Sequence, residues 1–244
     1  IEHLRCYPFA DYKKDDFVNY VWRPKDHSCE WTTTYRQFDF CRIMDSSALL
    51  IAGDSLSWEH FRSLMHLHGR HIHQGFQHQS LEFDTNVVLD LCDGRVKVSY
   101  RRDDKLQKVK EALHQEPFPT VVVLNRGAHY SNDTELLNGL DDVINPLKEW
   151  KERCRELGVE CQAIWRTSVP GTPHCGQFKK PVNDLAKMEA WIANMSNYDE
   201  HTVRYHWYNY QPQNLLVTKK LEESGLGIHI LDAYASNVLR PDEH

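Results

Sequence analysis

The stretch Ala48-Leu49-Leu50-Ile51-Ala52-Gly53-Asp54-Ser55-Leu56-Ser57 is an apolar run that ends at a glycine and leads directly into a helical pattern. A buried strand followed by Gly-Asp-Ser predicts a sharp turn from strand to helix. At such a turn a hydroxyl group is exposed, and free backbone N–H groups can stabilise an oxyanion. We therefore interpret Ser55 as a catalytic nucleophile. The alternative is that Ser55 is only a turn residue or a helix cap.

The residues that follow this stretch predict an alternation of helices and strands. Apolar residues recur at helical spacing after Ser55 until Gly69. Further strands are predicted near residues 96–100, 120–124, 160–167 and 227–232, and further helices near residues 105–115, 136–157, 182–195 and 211–223. Pro146 is expected to kink or split the helix that Gly158 closes. The alternation predicts an α/β fold with three layers, α/β/α, and a central, mostly parallel sheet.

The beginning of the chain has a different character. Residues 1–45 contain aromatic and turn residues with little periodicity, which predicts an irregular N-terminal arm packed on a main domain of residues 46–244. Cys6, Cys29 and Cys41 could attach this arm to the domain, but their pairing cannot be deduced from the sequence.

Composition and charge limit the classes of partner. The chain has 244 residues, of which 41% are hydrophobic, and a formal net charge of -6. A negative chain is not attracted to nucleic acid or to an anionic membrane surface, so neither is expected as the main partner. We expect no membrane span, because no stretch approaches the roughly 20 apolar residues that cross a bilayer. Seven cysteines without a C-x-x-C pair, and sequons at Asn132 and Asn194, favour a disulfide-bonded glycoprotein of the secretory pathway.

Several chemically active residues follow the predicted strands. Ligands of parallel sheets bind at the carboxyl ends of the strands. The groups at such ends are Ser55, Arg101 with Arg102, Asn125 with His129, and Arg166 with Thr167. A nucleophile, cationic side chains and an amide at one sheet edge indicate an acyl-transfer site.

A dense group of six histidines lies between residues 60 and 78. Side chains two residues apart face the same side only on a strand, whereas this segment spans a predicted helix end and a turn. It also lacks a carboxylate at ligand spacing. We expect a solvated, partly packed loop here, and neither a metal nor a cofactor.

The residues around Ser55 carry a family resemblance. Gly53-Asp54-Ser55-Leu56 and Asn125 resemble the GDSL/SGNH hydrolase superfamily. The order of the matching elements is similar to the PC-esterase family, which includes the trichome birefringence-like polysaccharide O-acetyltransferases of plants and their algal and fungal relatives. The matching elements are Tyr20-x-Trp22-Arg23-Pro24 with Cys29, Phe38-x-Phe40-Cys41, Phe61-x-Ser63-Leu64, Asn125-x-Gly127-x-His129, Trp165-Arg166-Thr167 with Pro170-Gly171 and Cys175, and Leu239-Arg240-Pro241-Asp242-Glu243-His244.

The resemblance implies an activity and a set of roles. Family members use a serine, a histidine and an aspartate to move acetyl groups onto or off sugar hydroxyls in the Golgi or the cell-wall space. It implies a carbohydrate or polysaccharide acceptor, an acetyl donor and no cofactor. Ser55 would be the nucleophile, and the oxyanion or substrate would meet Gly53, Asp54, Arg101, Arg102, Asn125, Gly127 and His129.

The catalytic base is the point at which this sequence departs from the family. The Asp-x-x-His motif of the family is absent, and Asp242-Glu243-His244 has a different spacing. We expect that the chain is truncated before its own catalytic histidine, or that Asp242 and His244 serve in an unorthodox arrangement. A different class of function stays open: a catalytically inactive carbohydrate-binding or scaffold protein with the same fold.

Overall fold

The computed structural model describes residues 36–69 and 86–241. Apolar runs form the strands, and segments with helical spacing form most of the longer helices. In chain order the elements are α1 (Gln37–Ile43), β1 (Ala48–Gly53), α2 (Ser55–Leu67), β2 (Asn86–Leu91), β3 (Val96–Arg102), α3 (Val109–Leu113), β4 (Val121–Leu124), α4 (Asp133–Asn138), α5 (Asp141–Leu157), β5 (Gln162–Arg166), α6 (Leu185–Ala193), α7 (Tyr210–Glu223), β6 (His229–Leu231) and α8 (Tyr234–Val238).

The strands form one six-stranded sheet in the order β2-β3-β1-β4-β5-β6. Neighbouring strands are parallel from β3 to β6, whereas β2 pairs with β3 in the antiparallel direction. The sheet confirms the predicted α/β class with a mostly parallel centre. Strand β1 lies between β3 and β4, so the residues that follow these three strands emerge at the same edge.

Two apolar clusters cover the two faces of this sheet. On one face Leu50 and Ala52 of β1 pack with residues of α3, α5 and α7, and Trp150 donates a hydrogen bond of 2.8 Å to the Pro119 carbonyl. On the other face Leu49 and Ile51 pack with α2. Because successive side chains of a strand point to opposite faces, the fully apolar β1 requires a helical layer on each side.

Strand β2 and helix α1 were not predicted from the sequence. The burial of β2 alternates between exposed and half-buried, as in an edge strand that is covered on one face only. Helix α1 lies within residues 1–45, the segment predicted to be irregular. The part of that segment before residue 36 lies outside the described residues.

Pro146 does not split the helix, which is one of the two effects predicted for it. Helix α5 runs through Pro146, and the interruption falls before it, at Gly139 and Leu140 between α4 and α5. Proline removes only the hydrogen bond to the carbonyl of Asp142, an exposed residue of the first turn of α5. The buried side of the helix, which includes Trp150, keeps the helix on the sheet. Gly158 ends α5 in the left-handed conformation, as predicted.

The chain divides into two compact units. One comprises residues 36–168 and 211–232 and contains the whole sheet; the other includes residues 169–210 and 233–241. In the second unit, Trp207 packs so closely on Gly171 that a Cβ atom there would lie 2.4 Å from the indole ring. Trp191 donates to the Pro173 carbonyl at 2.9 Å.

Two disulfide bonds, Cys41–Cys92 and Cys154–Cys161, lie in the unit that contains the sheet. They confirm the expectation of disulfide bonding and are typical of proteins that fold in an oxidising compartment. Among the described residues, no helix combines the length and the apolar character that a membrane span requires.

Candidate active site

Ser55 occupies the position that the sequence predicts. It is the first residue of α2, two residues after the end of β1, and it is exposed. The first N–H groups of a helix have no partner within the helix and carry partial positive charge. A hydroxyl at this position is therefore accessible and lies beside donors that can stabilise negative charge.

Asp54 has a structural role beneath Ser55. It is the N-cap of α2, and its carboxylate accepts hydrogen bonds from the N–H groups of Leu56 at 2.9 Å and Ser57 at 3.3 Å. The Tyr100 hydroxyl donates to the Asp54 carbonyl at 3.1 Å. These hydrogen bonds stabilise the turn. Asp54 is 2% exposed, whereas the neighbouring Ser55 is exposed at the surface.

A buried arginine connects this turn to β5. Arg166 is 7% exposed; its Nη2 atom donates to the Ser57 Oγ at 3.2 Å and lies 3.9 Å from an Asp54 carboxylate oxygen. Burial lowers the pKa of Arg166, and the nearby Asp54 carboxylate opposes this shift. The guanidinium thus compensates the buried charge of Asp54 and connects the end of β5 to the first turn of α2, 109 residues earlier in the chain.

Asn125 lies at the end of β4, 1% exposed. Its Nδ2 group donates to the Arg166 carbonyl at 2.9 Å and to the Ser168 Oγ at 3.3 Å, whereas its Oδ1 atom is buried and accepts no hydrogen bond from any described residue. Both amide N–H groups are therefore used within the sheet edge. For Asn125 to donate a hydrogen bond to an oxyanion, its amide would have to break the bond to the Arg166 carbonyl or the bond to the Ser168 Oγ.

Two glycines allow the strand ends to approach closely. A Cβ atom on Gly53 would lie 2.9 Å from the Asn125 carbonyl oxygen and 2.5 Å from the Ser57 Oγ. A Cβ atom on Gly127 would lie 2.5 Å from the Ser168 Oγ. The structure therefore brings Gly53, Asn125 and Gly127 of the predicted site to one edge of the sheet.

The charged residues after β3 form a second group at this edge. Arg102 binds the Asp104 carboxylate through two nitrogens, with Nη2 at 3.0 Å, and the same carboxylate lies 3.5 Å from the His129 Nε2 atom. The His129 side chain is 41% exposed. Asp104 follows β3 and His129 follows β4, the two strands that flank β1, so their contact joins the strand ends on either side of the strand that leads to Ser55. Arg102 and His129 were both predicted as site residues, but their shared contact with Asp104 was not predicted.

Asp103 is the buried member of this charged run and shapes the loop that follows. Its carboxylate accepts hydrogen bonds from the N–H groups of Gln107 at 2.9 Å and Lys108 at 2.7 Å. Burial raises the pKa of Asp103, and these hydrogen bonds together with the charge of Arg101 oppose the shift. Arg101 therefore acts on a buried carboxylate in the structure, and its predicted contact with substrate stays a prediction.

His60 lies on α2, one and a half turns beyond Ser55, with its Nδ1 atom buried and without a hydrogen-bond partner among the described residues. Burial, followed by the charge of Arg166, lowers the pKa of His60. The imidazole therefore stays neutral near the site at pH values at which an exposed histidine takes up a proton.

This shift predicts a pH-dependent stability. Below about pH 6.5 the unfolded chain takes up a proton at His60, whereas the folded protein does not. The unfolding free energy therefore decreases as the pH is lowered, until the pH reaches the lowered pKa of His60 in the folded protein. His60→Gln should therefore lose less stability than the parent protein between about pH 7 and pH 5. Urea unfolding at both pH values measures this difference, with His66→Gln, at an exposed position on the same helix, as the control. Equal losses in the parent and in His60→Gln would contradict the assignment.

An open groove of about 1080 Å³ lies elsewhere on the same unit, against α3, α4 and α5. It is lined by charges of both signs, including Lys105, Arg126 and Glu149, and by none of the residues predicted to be catalytic. Arg126 lies 4.5 Å from the centre of the Tyr130 ring. Burial raises the pKa of Tyr130 to about 12, against the opposing charge of Arg126.

Asp242 and His244, predicted as the carboxylate and the base, lie outside the described residues. The contacts of Ser168 were missed: its N–H and C=O groups pair with the side chain of Asn214 at 2.9 and 2.8 Å. Serine and asparagine at these positions carry no pattern that distinguishes them from loop and helix-surface residues. Away from this edge, Cys41, His68 and Cys92 form a group of described residues whose spacing suits a metal ion.

Comparison of the sequence with models of protein families finds no match, and comparison with curated proteins finds none either.

Proposed function

We propose that this chain belongs to an enzyme that transfers or hydrolyses acetyl esters of carbohydrate hydroxyls through an acetyl-serine at Ser55, as an O-acetyltransferase or acetylesterase of the SGNH type. The observation that carries the proposal is the exposed Ser55 at the start of α2, directly after the buried strand β1. The resemblance to the PC-esterase family supports the choice of acetyl groups and sugars.

The first step is attack of the Ser55 Oγ atom on the carbonyl carbon of the donor ester. The oxyanion that forms is assigned to the backbone N–H of Ser55, because Asp54 already engages the N–H groups of Leu56 and Ser57. Collapse of the tetrahedral intermediate releases the donor's alcohol and leaves acetyl-serine. A sugar hydroxyl or water then attacks this ester and restores Ser55.

Two imidazoles are candidates for the base that takes the proton of Ser55. The resemblance points to His244 with Asp242 near the end of the sequence. The structure adds His129, whose Nε2 atom lies 3.5 Å from an Asp104 carboxylate oxygen and whose partly exposed imidazole follows β4, a neighbour of the strand that precedes Ser55. In either case a carboxylate orients the imidazole and stabilises its protonated form.

The partners and location follow from the same proposal. The acceptor is a carbohydrate or polysaccharide hydroxyl, and an acetyl donor supplies the group. The site of action is the Golgi lumen or the extracellular space, which the two disulfide bonds support.

A catalytically inactive carbohydrate-binding or scaffold protein of the same fold is the second candidate. The observation that favours it is Asn125, whose two amide N–H groups are both engaged inside the sheet edge. An inactive protein would bind a glycan without forming acetyl-serine.

Mass spectrometry of the full chain after brief exposure to an aryl acetate distinguishes the two. The enzyme should gain one acetyl group, located by peptide mapping at Ser55. His129→Ala and His244→Ala in the same experiment identify the base, because its loss should slow acetylation by about 100-fold or more. A parent protein that gains no acetyl group, yet is retained on a polysaccharide resin, would establish the inactive alternative.

A further inference from the structure

Three residues from three different elements converge at one corner of the unit that contains the sheet. Cys41 lies on α1, His68 follows the last turn of α2, and Cys92 follows β2. One ligand atom of each residue lies within 4.8 Å of the other two. Cys41 and His68 are 9% and 7% exposed, and the two cysteines are joined as a disulfide.

We propose that reduction of the Cys41–Cys92 disulfide converts this corner into a Zn²⁺ site with two thiolates and the His68 imidazole as ligands. A dithiol reductant breaks the S–S bond: it gives two electrons and two protons, yields two cysteine thiols, and itself becomes a disulfide. Zn²⁺ then displaces the two thiol protons into solvent, and its own oxidation state does not change. This inference does not depend on the proposed enzymatic function.

The chemistry of the three ligands suits zinc. Cysteine sulfur and histidine nitrogen are the usual ligands of Zn²⁺, with bonds of about 2.3 Å and 2.0–2.1 Å. A tetrahedral ion with these bonds holds its two sulfurs about 3.8 Å apart. The Cα atoms of Cys41 and Cys92 are 5.5 Å apart, so rotation of the two side chains can bring the sulfurs to this separation once the bond between them is broken. Three protein ligands leave the fourth position for water or an exogenous ligand.

The surroundings support a site that a metal can enter. The three residues line a surface recess of about 610 Å³, together with Gln37 and Asp93. The Gln37 side-chain amide lies 3.2 Å from the His68 Nδ1 atom, and the Phe40 ring meets the imidazole edge-on at 4.7 Å. These contacts fix the plane of the imidazole, as outer contacts of metal-binding histidines do.

The other disulfide of this unit provides a matched comparison. Cys154 and Cys161 are also bonded, only seven residues apart. Neither belongs to a group of three described residues at metal-ligand spacing. Reduction of Cys154–Cys161 therefore yields two thiols without the third ligand that His68 supplies to the first pair.

The test uses the full chain and Co²⁺ as a coloured substitute for Zn²⁺. A phosphine reductant is used, because dithiols themselves bind zinc, and circular dichroism verifies that the reduced protein is folded. The reduced protein should develop a thiolate-to-cobalt charge-transfer band with one equivalent of Co²⁺, and Zn²⁺ should abolish it. The oxidised protein should give no such band.

The variants decide whether this corner is the site. His68→Ala, which leaves Cys41–Cys92 and Cys154–Cys161 intact, should weaken Co²⁺ binding after reduction by about 100-fold or more, whereas Cys154→Ser/Cys161→Ser should keep the parent affinity. Zn²⁺ should also protect Cys41 and Cys92, but not Cys154 and Cys161, from alkylation. The proposal is overturned by an absent band in the folded, reduced parent, by an unchanged affinity in His68→Ala, or by equal alkylation of all four cysteines.

Discussion

Ser55→Ala is expected to reduce acetyl-ester hydrolysis by at least about 1,000-fold without unfolding the protein. The variant loses the atom that would form the acyl intermediate, so binding and the oxyanion donors alone remain. Ser55 is exposed, and alanine is an excellent helix former, so little packing is lost. The measurement is the steady-state rate with a chromogenic acetate ester, together with a urea unfolding curve.

The matched control is Ser63→Ala, an exposed serine on the same helix, two turns beyond Ser55. It makes the same chemical change without touching the sheet edge, and its rate should equal that of the parent protein. A rate for Ser55→Ala within a factor of two of the Ser63→Ala rate would remove Ser55 from the mechanism. If both variants lost hydrolytic activity, the cause would be a structural defect of α2 and not the removal of a nucleophile.

The central part of the fold could be predicted because the hydrophobic pattern of the sequence there matches the burial of the residues in the structure. Strand β1 is apolar at every position and ends at Gly53, so a strand buried on both faces followed by a turn is the consistent interpretation. Strand β2 lacks this agreement. Its residues alternate between exposed and half-buried up to the buried Leu91, and a turn at residues 92–95 joins it to β3.

The contacts of the candidate site were less predictable than its position. In a parallel sheet the carboxyl ends of neighbouring strands lie at one edge, which is why Ser55 after β1, Arg102 at the end of β3 and Asn125 after β4 could be grouped from the sequence. The bonds between side chains join residues far apart in the chain, such as Arg166 to Ser57 and Asn214 to Ser168. No periodicity encodes such pairs, because each depends on the register of two elements and on a rotamer.

Gly53→Ala is expected to be the most destabilising single change at this edge, lowering the unfolding free energy by at least about 3 kcal/mol. Gly53 has a φ angle of +151°, a conformation that residues with a Cβ atom rarely adopt, and this strain alone costs about 1–3 kcal/mol. The new methyl group would also meet the Asn125 carbonyl oxygen at 2.9 Å. That oxygen belongs to the backbone after β4, so it cannot move away without shifting a strand.

Gly94→Ala separates the two contributions. Gly94 also has a positive φ angle, +83°, but a Cβ atom there would meet no atom within 4 Å. Gly94→Ala should therefore lower the unfolding free energy by only about 1–2 kcal/mol, which is the cost of the backbone conformation. Urea unfolding of both variants measures the difference. If Gly53→Ala lowers the unfolding free energy no more than Gly94→Ala does, the close packing of β1 on β4 is contradicted.

The same methyl group on residue 53 would lie 2.5 Å from the Ser57 Oγ, which accepts a hydrogen bond from Arg166. Folded Gly53→Ala should therefore also lose esterase activity, whereas Gly94→Ala should keep it.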